Sequence, residues 1–414
     1  MMKTLQELYK EIMEQELKSG RVMMEKYDDY PMDCLLHPKE YAPVISAGNC
    51  DSCGEGGACQ DSCVFDAIQK INGKIYIDPK KCTGCGVCID VCKMGHLMEN
   101  REIYPVLETL CDRGKEVYAL IAPAFTGQFG ERATPGRLRS AFKKIGFQGM
   151  VEVAAFADIL TLKEALEFDR HVQQEGDFQL TSCCCPVWIA MIRSIYHDLV
   201  GHVPGAVSPM IAAGRIVKKL HPNAVTIFIG PCMAKKKEAT EPDIADAIDY
   251  VLTFQETKEF FEAMNVHPEE LEEDEREHSS KAGRIYARTS GVSEAVEATV
   301  EQLNPGKKLK VKARQADGVR ACKELIEKIQ KGETDGNFFE GMACNGGCVG
   351  GPKALIDKEK GKAFVNAYGD WAAYQTPLEN PYVLELLERL GFSDIMDFLN
   401  NSTLLTRDFS DPAV

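Results

Sequence analysis

The chain has 414 residues, a net charge of −15 and 17 cysteines. This length suits one large domain, or a large domain with a small one. The acidic balance argues against nucleic-acid binding, and no apolar run is long enough to span a bilayer. Because the chain starts with a charged helical pattern rather than a signal peptide, the cysteines are predicted to be metal ligands in a reducing cytoplasm.

Residues 1–40 are predicted to form an N-terminal helical extension, since apolar residues recur at roughly helical spacing between Leu5 and Leu17. Three cysteines elsewhere in the chain match no motif. Cys34, Cys111 and Cys322 are therefore predicted to be buried structural thiols.

Residues 41–103 contain eight cysteines in two groups of four. The second group has the C-x2-C-x2-C-x3-C spacing of bacterial 4Fe–4S ferredoxins, in which the fourth cysteine serves the other cluster. We therefore predict a small α+β ferredoxin-like domain with two 4Fe–4S clusters that conduct electrons. The first cluster is assigned Cys50, Cys53, Cys59 and Cys92, and the second is assigned Cys82, Cys85, Cys88 and Cys63.

A zinc-ribbon-like fold is the alternative for this segment, because it also uses C-x2-C pairs with four cysteines per metal. It does not account for the C-x2-C-x2-C-x3-C run. The first group departs from ferredoxin spacing, with five residues between Cys53 and Cys59, but three of these are glycines that ease a longer loop. The stretch Lys74–Asp78 is predicted to be a hairpin strand.

Residues 104–414 alternate between strand and helix patterns, which predicts an α/β domain with mostly parallel sheet. Three cysteine-bearing loops follow predicted strands, where folds of this kind place their sites. These loops are Thr181–Trp188, Gly230–Glu238 and Glu340–Pro352. The predicted strands are Val117–Ala122, Val151–Ala155, Gln179-Leu180, Ala224–Ile229, Tyr250–Thr253, Lys308–Ala313 and Phe338–Met342.

At these loops the chain resembles the catalytic domain of the FeFe (iron-only) hydrogenases. The family signatures TSCCP-x-W, PC-x-x-K-x-x-E and E-x-MAC-x-x-GC correspond, in the same order, to Thr181–Trp188, Pro231–Glu238 and Glu340–Cys348. The resemblance covers about residues 110–414, and the ferredoxin-like segment corresponds to the family's common accessory domain. It implies an FeFe-hydrogenase-like catalytic domain with mostly parallel sheets and helices.

The resemblance also implies an H-cluster, which is a 4Fe–4S cube bridged to a diiron unit that carries CO, cyanide and a dithiolate amine. Lys235 matches the lysine that hydrogen-bonds a cyanide, and Glu238 completes the same motif. Met342 matches the methionine that packs against the diiron unit. The implied ligands are Cys185, Cys232, Cys344 and Cys348, with Cys348 as the bridge.

The first loop holds three consecutive cysteines where most of the family has two, which resembles the branch often called group B. Anchoring the motif on Pro186 and Trp188 makes Cys185 the ligand and Cys184 the proton-relay thiol. Only this register keeps the family's spacing to Ser208-Pro209, and we adopt it. Anchoring on Thr181-Ser182 would instead make Cys184 the ligand and Cys183 the relay.

Proton supply departs further from the family. Glu164 and Glu167 fall at the positions of the two relay glutamates, and their spacing of three puts them on one helix face. Without the resemblance, an ordinary solvated helix face would be the simpler interpretation. The hydroxyl that usually links the two carboxylates is replaced by Pro204, whose side chain cannot relay a proton. A path rerouted through water or Cys183 is therefore our hypothesis.

These features predict a cytoplasmic FeFe hydrogenase that interconverts two protons and two electrons with dihydrogen. Electrons would come from ferredoxin or a similar low-potential carrier, and hydrogenase maturation proteins would insert the diiron unit. No nucleic-acid or membrane partner is expected. One alternative is a hydrogen sensor, although sensors usually carry an appended signalling domain that is not seen after the third loop. The other is an iron–sulfur assembly factor with cubane clusters only, which would need neither Cys184 nor Lys235.

Overall fold

The computed structural model describes residues 30–47, 50, 57–112, 114–394, 396–397 and 403–410. Cys53 and residues 1–29 of the predicted N-terminal helical extension lie outside these residues. The described part of that extension contains the α-helix Tyr30–Leu36 and the short 3-10 helix Pro38–Glu40. Among the described residues, no helix is both long and apolar enough to cross a bilayer.

The ferredoxin-like segment is built from two antiparallel strand pairs and two short helices. Strands β1 (Val44–Ser46) and β4 (Leu97–Glu99) pair with each other, and β2 (Ile68–Ile71) forms a hairpin with β3 (Lys74–Ile77). The hairpin turn is Asn72-Gly73, and both residues have positive φ, as a two-residue hairpin turn requires. The helices are Ala58–Asp61 and Val87–Val91.

The larger part of the chain contains two parallel sheets, which confirms the predicted α/β class. The strands are β5 (Glu116–Ile121), β6 (Gly149–Glu152), β7 (Gln179–Leu180), β8 (Ala224–Gly230), β9 (Tyr250–Thr253), β10 (Ala313–Asp317) and β11 (Phe338–Met342). One sheet has the strand order β6-β5-β8-β9, and the other has the order β10-β11-β7.

Helices cover these sheets. The early ones are Ile103–Cys111, Pro135–Lys144, Ala154–His171, Pro186–Ser194, Pro209–Leu220 and Ala234–Glu238. The later ones are Phe254–Ala263, Lys281–Ile285, Gly291–Leu303, Val319–Gln330, Lys358–Asp370 and Pro381–Leu390.

Strand burial explains why the sequence forms parallel sheets. All of β11 and nearly all of β8 are buried, as expected for central strands covered on both faces. Side-chain caps fix the starts of several helices. The hydroxyl of Thr253 accepts a hydrogen bond from Glu256 N, and the Glu256 side chain completes a capping box.

Two predicted strands are partly wrong. The strand predicted at Lys308–Ala313 begins only at Ala313, because its partner β11 begins at Phe338. Lys312 instead bonds to the side chain and backbone of Asn337, outside the sheet. The strand predicted at Val151–Ala155 ends at Glu152, because Ala154 and Ala155 already belong to the helix Ala154–His171.

The three unmatched cysteines do not share one environment. Cys34 and Cys322 are fully buried, as predicted. Cys111 is exposed at the last position of its helix, so its prediction as a core thiol is wrong. A lone cysteine in an amphipathic segment does not reveal which face of the helix it occupies.

Candidate metal centre

The three cysteine loops meet at the carboxyl ends of their strands. The loop after β7 lies beside the loop after β11, because these strands are parallel neighbours and Thr181 N donates to Phe339 O at 2.9 Å. The β11 loop contacts the other two: Ala343 N donates to Cys185 Sγ at 3.4 Å, and Lys353 N donates to Pro231 O at 3.1 Å. The fold thus brings distant segments to one place.

Four thiols face one another at this meeting point. Burial raises the pKa of Cys232 to about 11 and that of Cys348 to about 12. Burial also raises the pKa of Cys344, and the neighbouring thiolates Cys232, Cys185 and Cys348 raise it further. All four keep some accessible surface despite their depth, which is typical of side chains that line an internal space. The structure therefore brings together the four cysteines predicted as ligands.

This donor set fits an iron–sulfur cube. Within the described ranges, no group of three or more His, Cys, Asp or Glu side chains is arranged to hold a metal ion. A cube needs a wider arrangement, because each thiolate binds a different iron. Ser182 places a buried hydroxyl beside the first-loop thiols, and this oxygen has no hydrogen-bond partner among the described residues. Four soft thiol donors and an unpartnered hydroxyl suit such an inorganic group.

A buried ammonium lies beside the thiols. Lys235 Nζ donates to Ser208 Oγ at 3.1 Å and to Glu238 Oε2 at 2.6 Å. Its third proton has no partner among the described side chains. Burial alone would lower the pKa of Lys235, but the charges of Glu238 and nearby thiolates outweigh this effect and raise it. Lys235 is therefore a cation with one donor free for an anionic group.

Met342 is the last residue of β11 and is buried. Its side chain lies against Gly347, where a Cβ would come within 2.8 Å of Met342 Sδ and 2.6 Å of Thr289 N. Gly347 also has φ +85°, so a side chain there would be strained in any case. Met342 and Tyr286 belong to one apolar cluster against which Cys184 packs.

Cys183, rather than Cys184, contacts Glu164, the first of the two glutamates predicted to relay protons. The thiol of Cys183 donates to Glu164 Oε1 at 3.3 Å, and the hydroxyl of Thr181 donates to the other carboxylate oxygen. Burial raises the pKa of Glu164 to about 7. The pKa of Cys184 is raised by burial and then by the charge of Cys348. The side chains therefore follow the order Cys348, Cys184, Cys183, Glu164.

Among the described residues, the structure does not connect Glu167, the second glutamate predicted to relay protons, to this series. Glu167 is half-buried and forms an ion pair with Lys163 Nζ at 2.6 Å. No hydrogen bond joins Glu167 to Glu164 in the part of the chain that the structure describes. Pro204 is buried and offers no exchangeable proton.

Two hydroxyls near Glu164 escaped the sequence analysis. Thr161 donates to the Tyr286 oxygen at 2.8 Å, and both side chains are buried. Burial, followed by the charge of Glu164, raises the pKa of Tyr286. Thr161 could have been found from its position three residues before Glu164 on one helix. Tyr286 has no such signal, since it is distant in the chain.

Among the ferredoxin-like thiols, Cys63 is near members of the second cysteine group. Burial raises the pKa of Cys82 to about 11, and the charges of Cys85 and Cys63 add to this. Cys63 also contributes to the raised pKa of Cys88, after burial, Cys85 and Cys82. Cys63 thus lies with the second cysteine group. Of the thiols assigned to the first cluster, Cys50 and Cys59 are buried, Cys92 is half-buried, and Cys53 lies outside the described residues.

The ferredoxin-like segment packs directly on the loops of the four thiols. Gly84 has φ +75°, and a Cβ there would lie 2.9 Å from Pro43 Cβ and 3.0 Å from Ala234 Cα. Only glycine allows this approach. Cys85 is close enough for its charge to raise the pKa of Cys344, after burial and the nearer thiolates. The two groups of thiols are therefore neighbours.

Comparison with known proteins identifies the family. Residues 115–352, more than half of the chain, match the iron only hydrogenase large subunit, C-terminal domain, and residues 75–95 match a 4Fe-4S binding domain. The chain therefore belongs to the iron-only hydrogenase large-subunit family. These two matches imply iron–sulfur clusters.

Individual relatives are distant. The NADP-reducing hydrogenase subunit HndD of Solidesulfovibrio fructosivorans is 27% identical over 74% of this chain, which spans 63% of that relative. Cytosolic iron-sulfur assembly component 3 of Bos taurus is 25% identical, with 90% of this chain and 92% of that protein covered. A solved structure of the FeFe-hydrogenase HydA has a TM-score of 0.63 at 22% identity, covering 76% of this chain and all of the HydA chain. This likeness shows that the fold is shared.

Proposed function

We propose that the chain is an FeFe hydrogenase that interconverts two protons and two electrons with dihydrogen. The observation that carries the proposal is the position of Lys235 and Cys184 beside four thiols from three separate loops. An ammonium suits a cyanide ligand, and a thiol suits proton exchange. An assembly factor with cubane clusters only would need neither group there.

The cofactor set in this proposal is an H-cluster and two further 4Fe–4S clusters. Cys185, Cys232, Cys344 and Cys348 would hold the H-cluster cube, with Cys348 as the bridge. When bound, the diiron unit supplies the site at which dihydrogen is formed or split. Lys235 would donate to a cyanide, Glu238 would hold Lys235 in place, and Met342 would shape the apolar wall.

Protons would move through this chain's own side chains in the order found in the structure. Cys184 would exchange protons with the active centre, and Cys183 and Glu164 would pass them outward. The triple cysteine supports membership of the group B branch, because it adds Cys183 between the relay thiol and the glutamate. In this route Glu164 holds the proton at Oε1, the atom that accepts from Cys183.

Electrons would enter through the ferredoxin-like segment from a ferredoxin-type carrier. The proximity of Cys85 to Cys344 supports transfer from the second cluster to the H-cluster cube. The diiron unit would require hydrogenase maturation proteins. A hydrogen sensor would share this site, and its turnover would be low.

Iron–sulfur assembly is the second candidate function. It is favoured by the match to cytosolic iron-sulfur assembly component 3, which covers more of both chains than the match to HndD does. The two functions differ in the diiron unit, so they can be separated by spectroscopy.

The test is an infrared spectrum of protein matured with the diiron precursor, recorded where metal-bound CO and cyanide absorb. The hydrogenase proposal expects sharp bands that shift under hydrogen, together with measurable turnover. A Lys235→Met variant should shift the cyanide bands more than the CO bands. Intact iron–sulfur absorption without such bands would contradict the proposal and favour the assembly function.

A further inference from the structure

The outer face of the β2–β3 hairpin is an exposed apolar surface. In the hairpin register Gln69 pairs with Tyr76, and Ile71 pairs with Lys74, so these four side chains share one face. All four are exposed; Ile71 is 52% and Tyr76 is 50% exposed. The opposite face packs inward through Ile68. We call this outer set the hairpin face.

The hairpin face lies in a basic segment of an acidic protein. Lys74 is on this face, Lys70 is on the opposite face, and Lys80 and Lys81 follow β3 in the chain. Between residues 68 and 81 there are four lysines and a single acidic residue, Asp78, whereas the whole chain carries −15. Lys74, Lys80 and Lys81 are exposed, and none of them forms an ion pair with another described residue. Their charges are therefore available to an incoming partner. An aromatic and aliphatic centre with a charged rim is typical of a protein-binding surface.

The same hairpin contacts a cysteine that is assigned to the first 4Fe–4S cluster of the ferredoxin-like segment. Cys50, assigned to that cluster, donates its backbone N–H to Gly73 O in the hairpin turn at 3.0 Å. A partner seated on the hairpin face would therefore place its own redox centre close to the entry point. Electron transfer falls steeply with distance, so this position matters for rate.

We infer that the hairpin face is the docking surface for an acidic one-electron carrier protein. The inference rests on the proposed function for the direction of electron flow. In each encounter one electron passes from the carrier's iron–sulfur centre to the first cluster of this chain. The carrier is oxidised by one electron and the cluster is reduced by one, and no bond or proton changes. Attraction between the lysines and the carrier's carboxylates would speed encounter despite the overall repulsion of two acidic proteins.

The experiment measures how fast the clusters are reduced by a small, acidic, prereduced 2(4Fe–4S) ferredoxin in a stopped-flow instrument. It uses full-length protein with its cubane clusters but without the diiron unit, so hydrogen turnover plays no part. For the wild-type chain the rate constant should fall as salt rises. A rate constant that rises with salt concentration, or is independent of it, would mean that the lysines do not attract the carrier against the overall negative charges of the two proteins. Either result would overturn the inference.

Variants give an independent test. Lys74→Glu with Lys80→Glu should lower the ferredoxin rate at low salt at least tenfold, and Tyr76→Ser should lower it at all salt concentrations. Reduction by the small donor methyl viologen radical should be unchanged in each variant, which shows that the clusters are intact. Lys323→Glu, an exposed charge reversal on the helix Val319–Gln330, is the matched control and should have no effect.

Three further outcomes would decide whether the hairpin face is the docking surface. If the hairpin variants are reduced by ferredoxin at the wild-type rate, the docking surface lies elsewhere. If sedimentation shows a dimer that Lys74→Glu breaks while ferredoxin reduction is unaffected, the face binds a second copy and the inference fails. Salt-dependent reduction of the clusters, combined with no hydrogen turnover by the same protein after maturation with the diiron precursor, would leave the docking surface standing and overturn only the proposed function.

Discussion

The thiol of Cys183 donates a hydrogen bond to Oε1 of Glu164 at 3.3 Å. The sequence predicts Cys184 as the relay thiol and gives Cys183 only as one rerouted proton path. This contact places Cys183 directly against Glu164. In the structure the two thiols are consecutive members of one series. Cys184 is near Cys348, and Cys183 is near Glu164.

Removing either thiol should therefore interrupt proton supply. We expect Cys184→Ala and Cys183→Ala each to lower hydrogen turnover about 100-fold or more, which is the lower end of the effect of a positioned proton donor. Cys183→Ser should retain more activity, since a hydroxyl can both donate and accept. Turnover of matured protein would be measured alongside the infrared bands, which should remain. Cys34→Ala, a buried thiol far from this series in the chain, is the control. Wild-type turnover in Cys183→Ala would show that protons leave Cys184 by another route.

The two relay glutamates should behave differently. Glu164 is fully buried and accepts from Cys183, whereas Glu167 is half-buried and paired with Lys163. Glu164→Gln should lower turnover by about 100-fold or more, and Glu167→Gln should lower it far less. The matched substitutions on one helix control for general effects of charge removal. Equal, large losses in both variants would mean that Glu167 lies on the path after all.

Buried ion pairs should stabilise the packing of the ferredoxin-like segment against the cysteine loops. Glu99 at the end of β4 lies 3.0 Å from Lys236 Nζ and 3.1 Å from Lys353 Nζ, on the second and third loops. Glu99→Gln would deprive the buried Lys236 and the half-buried Lys353 of a charged partner, and we expect a loss of about 3 kcal/mol in the free energy of unfolding. Anaerobic urea denaturation measures this loss. The exposed pair Lys310–Glu301 provides the control, and Glu301→Gln should cost about 0.5 kcal/mol or less. Equal losses of unfolding free energy in the Glu99→Gln and Glu301→Gln variants would show that the Glu99 ion pairs do not stabilise this packing.

Sequence patterns predicted the strands that carry the cysteine loops, because strand patterns depend on local spacing. Because β7, β8 and β11 were correctly located, their cysteine loops could be placed at strand ends before any coordinates were known. The strand at Lys308–Ala313 failed for a physical reason. Alternating lysines gave it a strand pattern, but its pairing partner starts at Phe338 and leaves residues 308–312 outside the sheet.

Contacts between distant segments could not be predicted in this way. Nothing near Tyr286 in the sequence indicates that its hydroxyl bonds Thr161 beside Glu164. The same holds for Glu99, whose partners come from loops more than a hundred residues away. Such contacts depend on how the helices and sheets pack together. The residues next to Tyr286 or Glu99 in the chain do not indicate them.

Stability should depend on pH through Glu102. Burial raises the pKa of its carboxyl from 4.5 to about 7, with Lys236 and Val251 N–H opposing the shift and Glu256 reinforcing it. Between these values the folded chain keeps the proton and the unfolded chain releases it. Glu102 therefore lowers stability progressively as pH rises from about 4.5 to 7, and the full loss persists above pH 7.

Replacing Glu102 with Gln removes this titration and leaves an amide oxygen to accept from Val251 N, which now bonds Glu102 Oε2 at 2.7 Å. The variant's stability relative to wild type should therefore rise between pH 5 and pH 8, by about 3 kcal/mol at most. Urea midpoints at several pH values would measure the difference, with the exposed Glu388→Gln as control. A difference that stays constant with pH, or falls, would mean that Glu102 is already ionised in the folded chain at pH 5. Its burial beside Glu256 would then be compensated by Lys236 more fully than the raised pKa implies.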